Sequence, residues 1–394
     1  MRRQMPRLAA AVKRLPSLEG FRIAFSMHLD PKMIPFVEGV LARGGAAYLT
    51  TCNPDTVRDD VVEHLRAQGA EASAYRGMSM KEYRAAADAA LEWEPTHLCE
   101  MGAELSAARA RRRGAGRHGG GSPGRGGGRG NGARDGGGVR NGGGAGSRGG
   151  RGGGVRGSLE ATGSGISRMK SLDLDYPVFN WDDLPVKEGL HNRHMVGLTA
   201  WHTFFARTGL TLHEKTVLVI GYGDVGAGVA DSAKAYGAHV MVAERDPARR
   251  LRAAYAGWEV AELPEAAARA DVVATATGAD GVVGAALVDR LPDGAFLLNV
   301  GHRPGEIDVA YLRSHDHREI IPFVEEISLG ERRVYLLAGG SMFNLVAGAG
   351  DSLNAFDVTL AVLTEALGFL VHEGSSYPAG LHVLPDFVWR AAVS

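Results

Sequence analysis

The sequence predicts an α/β protein with two doubly wound parallel sheets, one in each half of the chain. Short apolar runs with β-branched residues alternate with helical stretches, a pattern typical of parallel sheets flanked by helices. One of these runs, Val217–Ile220, leads directly into a glycine-rich turn. The alternation breaks once, between Ser106 and Gly157, where the composition cannot build a hydrophobic core.

The composition narrows the class of protein. Of the 394 residues, 45% are hydrophobic, enough for two domains with separate cores. The formal net charge of −1 gives no global attraction to nucleic acid or to a membrane. The two cysteines, Cys52 and Cys99, match no disulfide framework or metal-ligand spacing, so we expect no metal. Because no apolar run reaches the length of a membrane span and no signal-peptide core is present, we expect a cytoplasmic protein.

The first 105 residues predict one α/β unit with polar residues after its strands. The predicted strands are Phe21–Ser26, Ala47–Thr51, Glu71–Ala74 and His97–Glu100, and the predicted helices are 32–43, Thr56–Gln68 and Ser79–Glu92. Polar residues follow the first two strands, where parallel sheets bind ligands, and they are His28, Asp30, Cys52, Asn53 and Thr56. Each alone also fits an ordinary loop or helix cap, but together they favour a site.

The segment Ser106–Gly157 has an unusual composition. It contains 24 of the 56 glycines and 12 arginines, with a single acid, Asp135. This composition predicts a disordered or loosely attached insert. Some arginine–glycine segments bind RNA, but this one has no aromatic residues to stack on bases. A local insertion, or a GC-rich coding sequence read out of frame, fits better, so we expect no nucleic-acid partner.

The glycine-rich turn has the spacing of a dinucleotide-binding βαβ unit. Gly221 permits the tight turn, Gly223 lets the backbone approach a pyrophosphate, and Gly226 lets helix and strand pack closely. Glu244 follows the next predicted strand, 23 positions after Gly221, where a carboxylate binds the ribose hydroxyls of NAD and repels a 2′-phosphate. We therefore predict a Rossmann-type domain that binds NAD; the alternative is a glycine turn without a cofactor.

The rest of the second half continues the alternation. Further predicted strands are His239–Ala243, a run from Asp271, Ala295–Val300 and Val334–Leu337, and further predicted helices are 193–207 and 353–371. We expect a substrate domain over residues 1–190 that carries the insert 106–157. An NAD-binding domain over 191–350 follows it, and a C-terminal segment, 351–394, returns to the substrate domain.

Several short motifs together resemble the S-adenosylhomocysteine hydrolase family. They are Gly221-Tyr-Gly-Asp-Val-Gly226, Glu244-Arg-Asp-Pro247, Thr275-Ala-Thr-Gly278, Asn299-Val-Gly-His302 with Glu306-Ile-Asp308, Asn344-Leu345 and His382-Val-Leu-Pro385. The resemblance covers nearly the whole chain apart from the insert. It implies a bound NAD that oxidises the ribose 3′-hydroxyl of a nucleoside to a ketone. The C4′ hydrogen is then acidic, the 5′ group is eliminated, water adds, and the ketone is reduced again.

The resemblance also implies roles for individual residues. Lys187 matches the lysine that helps remove the 3′-hydroxyl proton, and His28 matches the histidine near the 5′ position. Asn192 and His302 match residues close to nicotinamide and substrate. The implied substrate-binding residues are Asp30, Cys52, Asn53, Thr56, Glu100, Glu160 and Asp351. The implied cofactor-binding residues are Thr162, Gly163, Ser164, Gly221, Gly223, Asp224, Val225, Gly226, Glu244, Arg249, Thr275, Ala276, Thr277, Val300, Gly301, His302 and Asn344.

Four positions of the implied substrate site depart from the family pattern. Met101 stands where the family has a catalytic carboxylate. Ala161 stands where the family has a glutamate that holds the ribose, unless Glu160 substitutes for it. His191, which we keep as a catalytic candidate, replaces the aspartate that partners the active lysine, and Asp351 replaces a histidine.

These departures predict an altered reaction on a retained redox cycle, since removing an acid or base lowers a rate by roughly 10²–10⁴. If the ketone is reduced before water adds, the net result is a dehydrated, 4′,5′-unsaturated nucleoside. We expect such a dehydratase, acting on an adenine nucleoside like the relatives in angustmycin-type antibiotic pathways. An authentic S-adenosylhomocysteine hydrolase is the near alternative, and a non-catalytic NAD-binding regulator is the far one.

The resemblance further implies a homo-oligomer, either a dimer or a tetramer, and no membrane partner. In the family a C-terminal tail carries a lysine and a tyrosine that reach the NAD of the neighbouring subunit. Because the sequence ends at Ser394, soon after the His382 motif, we expect that tail to be missing.

Overall fold

The computed structural model describes residues 2–118, 154–302 and 304–394, and it has the predicted α/β architecture with one seven-stranded and one eight-stranded sheet. The strands are, in chain order, Arg22–Ser26 (β1), Ala46–Thr50 (β2), Glu71–Ala72 (β3), His97–Glu100 (β4), Gly157–Glu160 (β5), Pro177–Asn180 (β6), Thr216–Ile220 (β7), His239–Ala243 (β8), Glu259–Val260 (β9), Val272–Thr275 (β10), Ala295–Asn299 (β11), His317–Ile321 (β12), Val324–Leu329 (β13), Arg332–Leu337 (β14) and Gly380–Val383 (β15).

Helices connect most successive strands. The α-helices are Pro6–Arg14 (α1), Ile34–Ala42 (α2), Asp59–Ala67 (α3), Met80–Glu92 (α4), Glu104–His118 (α5), Gly163–Met169 (α6), Val196–Thr208 (α7), Asp224–Ala235 (α8), Pro247–Tyr255 (α9), Leu263–Ala267 (α10), Ala285–Val288 (α11), Val309–Arg313 (α12), Phe343–Val346 (α13), Leu353–His372 (α14) and Asp386–Ala391 (α15). Short 3₁₀ helices include Pro31–Met33 and Pro54–Thr56, and Lys187–Met195 is a π-helical segment.

The first sheet has the strand order β15-β6-β5-β4-β1-β2-β3, and all neighbouring strands pair in parallel. Because β1 lies between β4 and β2, the chain reverses its progress across the sheet at this point. Doubly wound sheets bind ligands in the crevice outside the carboxyl ends of the strands at such a switch point. β1 ends at Ser26 and β4 ends at Glu100, so the residues that follow, His28 and Met101, border this crevice.

The second sheet has the order β12-β13-β14-β11-β10-β7-β8-β9. The strands from β14 to β9 pair in parallel and have their switch point between β7 and β10, where Ile220 and Thr275 end the two strands. The glycine-rich turn therefore starts at the switch point. At the other edge, β12, β13 and β14 form an antiparallel meander, which was not predicted from the sequence.

The apolar run of β7 is buried on both faces. Val217 and Val219 belong to one hydrophobic cluster, and Leu218 and Ile220 belong to another on the opposite face. Successive side chains of a strand point to opposite faces, so a strand covered on both sides needs a continuous apolar run. This packing explains why the run predicts a buried parallel strand.

The C-terminal segment packs with the first sheet. Helix α14 belongs to the core cluster of that sheet, and β15 pairs with β6. Asp357 of α14 accepts hydrogen bonds from the backbone N–H groups of Arg7 (3.1 Å) and Leu8 (2.8 Å) at the start of α1. Helix α14 is long and apolar enough to cross a membrane, and 83% of its apolar window is buried inside the structure. The domain boundaries at residues 190 and 350 stay a prediction.

The insert predicted from composition starts too early and ends too late. Helix α5 continues to His118, and Ser106 at its start is buried, with its hydroxyl donating to the carboxylate of Glu100. At the other end Gly157 already belongs to β5, and a Cβ there would lie 2.8 Å from Leu370 in the core. The remainder of the glycine–arginine segment, 119–153, lies outside the described residues.

Candidate active site

A cavity of about 620 Å³ lies between the two switch points and is lined by residues from both halves of the chain. All five predicted catalytic residues line it, namely His28, Lys187, His191, Asn192 and His302. Most of the predicted cofactor residues also line it, namely Thr162, Gly163, Ser164, Gly223, Asp224, Val225, Arg249, Ala276, Thr277, Val300, Gly301 and Asn344. A second cavity of about 440 Å³ shares Arg249, Ala276 and Thr277 with the first, and it is lined by Gly221 and Glu244.

The glycine-rich loop has the shape that a bound pyrophosphate requires. Gly221 has a φ of +95°, and a Cβ there would lie 2.7 Å from the carbonyl oxygen of Ala276. A Cβ at Gly226 would lie 2.0 Å from the carbonyl oxygen of Gly221, so only glycine allows this close approach. Helix α8 begins at Asp224, and the residues at its start line the cavity, as at helix N-termini that bind anions. A Cβ at Gly223 would meet only the guanidinium of Arg249, at 3.9 Å.

Glu244 is held in the second cavity by the backbone. One carboxylate oxygen accepts from the N–H of Tyr222 (2.6 Å), and the other accepts from the N–H of Asp246 (2.8 Å). Each oxygen keeps lone pairs for further donors, so the carboxylate can also accept from the two hydroxyls of a ribose. The loop and this acid therefore fit a dinucleotide with a free 2′-hydroxyl.

Two predicted cofactor residues support the site without lining either cavity. Thr275 is completely buried, and its hydroxyl donates to Asn299 (3.1 Å). Gly226 acts through helix–strand packing. The loop after β10 is held instead by buried Glu306, which was not predicted as a site residue and whose carboxylate accepts from the N–H groups of Thr277 and Gly278, both at 2.8 Å.

Lys187 has a different partner from the one expected by resemblance. Its ammonium donates to the carboxylate of Asp182 and to the carbonyl oxygen of Ala161. Asp182 was not predicted, although a polar residue just beyond the end of a strand, here β6, is the signal that identified the other candidates. A lysine has three N–H donors, so one remains for a ligand in the cavity.

His191 and Asp351, two of the departures from the family pattern, are in buried contact. The distance from His191 Nε2 to Asp351 Oδ2 is 3.3 Å, and Asp351 Oδ1 accepts from the hydroxyl of Thr199 (3.1 Å). Burial alone would raise the pKa of Asp351, but the charge and hydrogen bond of His191 outweigh it and, with Lys32, hold that pKa well below its ordinary value. Where the family has an aspartate and a histidine, this chain has a histidine and an aspartate in contact.

A buried ion pair joins Lys32 to Asp30, and both residues are less than a tenth exposed. Lys32 lines the cavity, with its ammonium 4.6 Å from the ring centroid of Phe356, whereas Asp30 reaches the site only through Lys32. Burial would lower the pKa of Lys32, but the carboxylates of Asp30 and Asp351 raise it above its ordinary value. Asp30 was predicted from the sequence and Lys32 was not.

His28 is buried at the wall of the cavity with a defined tautomer. The Thr56 hydroxyl donates to the carbonyl oxygen of Asn53 (2.8 Å), so it must accept its 2.8 Å hydrogen bond from His28 Nδ1–H. His28 Nε2 then has a lone pair and no proton. Burial and the charge of Lys32 lower the pKa of His28 to about 3, so the ring is neutral near pH 7.

The predicted polar loop supports His28 and does not itself line the cavity. Cys52 lies with its sulfur 3.5 Å from His28 Nδ1, and burial raises the pKa of its thiol. The Asn53 side chain accepts from the N–H of Asp55 (3.0 Å) at the start of a 3₁₀ helix. Thus the ordinary helix-cap explanation is correct for Asn53, and Thr56 acts by orienting His28.

Glu100 and Glu160 do not take part in the cavity wall, contrary to their assignment to the substrate. Glu160 accepts from the N–H groups of Gly102 and Ala103, both at 2.9 Å, and from the hydroxyl of Thr162 (2.7 Å). It cannot substitute for the missing glutamate at Ala161, because neighbouring residues at a strand end point to opposite sides. Burial and the adjacent charge of Glu100 raise the pKa of Glu160 to about 7.

Comparisons with known proteins agree with this geometry. The model of the S-adenosyl-L-homocysteine hydrolase NAD-binding domain matches residues 203–350. The S-inosyl-L-homocysteine hydrolase of Methanopyrus kandleri is 30% identical over 98% of this chain and 86% of its own length. The adenosylhomocysteinase of Pyrobaculum aerophilum is 33% identical over 95% of this chain and 83% of its own length.

The chain belongs to the S-adenosylhomocysteine hydrolase family. The prediction of NAD as its cofactor is confirmed, and the relatives indicate an NAD-dependent activity of the hydrolase type on nucleosides. Among solved structures, a dipicolinate synthase from Bacillus halodurans matches with a TM-score of 0.48 at 13% identity, over 89% of this chain and 99% of that one, a likeness too distant to bear on function.

Proposed function

We propose that this chain cleaves the 5′-thioether of a purine nucleoside, of the S-nucleosyl-homocysteine type, through transient oxidation at C3′. The observation that carries the proposal is the hydrogen-bond chain from Asn53 through Thr56 to His28, which leaves His28 Nε2 without a proton. Bound NAD supplies a reversible oxidant for the ribose 3′-hydroxyl, and the Gly221–Gly226 loop and Glu244 are the residues that hold it.

At the 3′ position, Lys187 is suited to stabilise negative charge. Asp182 and the Ala161 carbonyl occupy two of its three N–H donors and fix the ammonium in place. The third donor is available to the 3′-oxygen, and the proton of the 3′-hydroxyl passes through the ammonium to the Asp182 carboxylate. In this role the Lys187 ammonium acts as a hydrogen-bond donor.

At the 5′ position, a neutral His28 favours a sulfur leaving group. A thiol has a pKa of about 8.5, so a thiolate departs as an anion without a proton donor. Hydroxide is a far poorer leaving group, since water has a pKa of about 15.7, and its departure needs an acid that His28 Nε2 cannot supply. When water then adds to C5′, the same nitrogen can accept a hydrogen bond from it and orient it.

Dehydration of a nucleoside is the second candidate, and Met101 and Ala161 are the observations that favour it. Both line the cavity, at positions where the resemblance implies carboxylates. Their apolar side chains suit a smaller substrate without the charged amino acid part of homocysteine. This candidate requires a proton donor other than His28 for the 5′-hydroxyl.

The two candidates give different products. NAD-loaded protein should be incubated with S-adenosylhomocysteine, S-inosylhomocysteine, adenosine and inosine. We expect release of a free thiol from at least one thioether, with adenosine or inosine as the other product. Lys187→Met should form neither the thiol nor the nucleoside. A product lighter by one water from a nucleoside, with no thiol from either thioether, would establish the dehydratase instead.

A further inference from the structure

His191 is held in one orientation at the cavity wall, although the proposed roles of Lys187 and His28 do not use it. Its Nε2 faces Asp351 at 3.3 Å, and Asp351 is itself held by the hydroxyl of Thr199. The edge of the His191 ring packs against Phe356, with 4.6 Å between ring centroids at an angle of 84°. A carboxylate and an aromatic ring thus fix the imidazole, as in acid–base sites where an aspartate orients a histidine.

The other ring nitrogen, His191 Nδ1, is buried and has no hydrogen-bond partner in the part of the chain that the structure describes. A buried polar atom without a partner is destabilising, so such an atom in a native structure calls for a function or a ligand. Nε2 is the ring nitrogen that faces Asp351, so a neutral ring carries its proton there and its lone pair on Nδ1. This residue is therefore an oriented base at the wall of the cavity.

The oxidation and elimination cycle needs a base at C4′ in addition to groups at the 3′ and 5′ positions. Among the described cavity residues, Asp182 is paired with Lys187, and Lys32 is a cation. Met101, at the position of a family carboxylate, has no group that accepts a proton. His191 lies four residues after Lys187 in the same π-helical segment, and both residues line the cavity.

We infer that His191, positioned by Asp351, is the base that takes the C4′ proton of the 3′-keto nucleoside and later returns it. The C4′–H bond breaks, its electrons form the enolate of the 3′-ketone, and the proton goes to Nδ1. The enolate then expels the 5′ group with its bonding electrons, and the imidazolium stays paired with Asp351. This inference rests on the proposed 3′-oxidation but holds for either leaving group.

Hydrogen exchange at C4′ tests this role directly. NAD-loaded enzyme is mixed with adenosine or inosine in D₂O, absorbance at 340 nm reports 3′-oxidation, and proton NMR reports replacement of the C4′ hydrogen. We expect the wild type to show both signals. His191→Asn should keep the absorbance while exchange slows by roughly 10²–10⁴, the usual contribution of a general base.

Two control variants separate this role from a structural one. His194→Asn makes the same change on the exposed side of the same segment and should exchange like the wild type. Asp351→Asn should slow exchange less than His191→Asn, because the base remains but loses its orienting charge. Wild-type exchange in His191→Asn would overturn the inference, as would loss of the absorbance in that variant with NAD still bound. A wild type with neither signal would instead refute the proposed 3′-oxidation, and the inference with it.

Discussion

The cofactor side and the substrate side of the cavity are built by different kinds of contact. Around NAD, the shape depends on backbone approach, as where a Cβ at Gly226 would lie 2.0 Å from a carbonyl oxygen. Around the substrate, side-chain pairs line or adjoin the cavity, and they are the ion pairs Lys32–Asp30 and Lys187–Asp182 and the histidine–carboxylate pair His191–Asp351. Where two backbone segments approach this closely, only glycine fits. An ion pair, by contrast, can be formed by any two side chains of opposite charge that reach each other. The substrate side can therefore change its residues and keep its charge balance.

The pair of His191 and Asp351 illustrates this difference. Each of His191 and Asp351 alone departs from the expected residue, but together they again place an imidazole and a carboxylate in contact. Asp182 similarly supplies the carboxylate that Lys187 lacks at position 191. Only Met101 and Ala161 leave the expected carboxylates without a replacement among the described residues of the cavity wall.

The largest effect should follow from breaking a buried pair on the substrate side. Lys32→Met leaves Asp30 as a buried carboxylate without its cation, which costs about 3–5 kcal/mol of unfolding free energy. Urea denaturation measures this loss. Arg58→Met, which breaks the exposed pair with Asp60, is the control and should change stability by less than about 1 kcal/mol. Equal effects of the two variants would contradict the importance of the buried pair.

On the cofactor side, two glycines should respond differently to the same substitution. Gly226→Ala places a methyl group against the Gly221 carbonyl, and we expect a loss of about 1–3 kcal/mol in stability together with loss of NAD. Gly223→Ala meets no atom closer than Arg249 at 3.9 Å, so it should fold normally and weaken only NAD binding. Thermal unfolding and NAD titration distinguish the two. A stable, NAD-binding Gly226→Ala would show that the loop is less tightly packed.

The smallest effect concerns acid stability, which we assign to the substrate half. Burial lowers the pKa of His97 to about 3 in the folded chain. Below pH 6.5, His97 is therefore protonated in the unfolded chain but stays neutral in the folded chain. Stability is therefore lost as the pH falls from 6.5 toward 3, by about 2 kcal/mol at pH 5. Urea denaturation gives the free energy of unfolding at pH 7 and at pH 5. His97→Gln should reduce the difference between these two values by the contribution of His97. The exposed His64→Gln is the control, and an unchanged slope in His97→Gln would refute the assignment.

The sequence by itself determined the fold class, the cofactor and the family. A buried parallel strand needs a continuous apolar run, and a tight turn at positive φ with close helix packing needs glycine. The residue types of Val217–Gly226 are therefore sufficient to predict its structure. The predicted catalytic residues could also be identified one by one from motifs. Of the meander, β14 was predicted as Val334–Leu337, but β12 and β13 were missed, because β12 is exposed along its whole length and neither strand has a continuous apolar run.

Only the tertiary structure decided how the polar residues are used. His191 and Asp351 are far apart in the chain, and nothing in their neighbours indicates that they meet. Glu160 and Ala161 are adjacent in sequence, yet only Ala161 lines the cavity, since the direction of a side chain at a strand end depends on the sheet around it. Charge acts through space over a few ångströms, so the partner of each buried charge is set by the packing of the strands and not by their order along the chain.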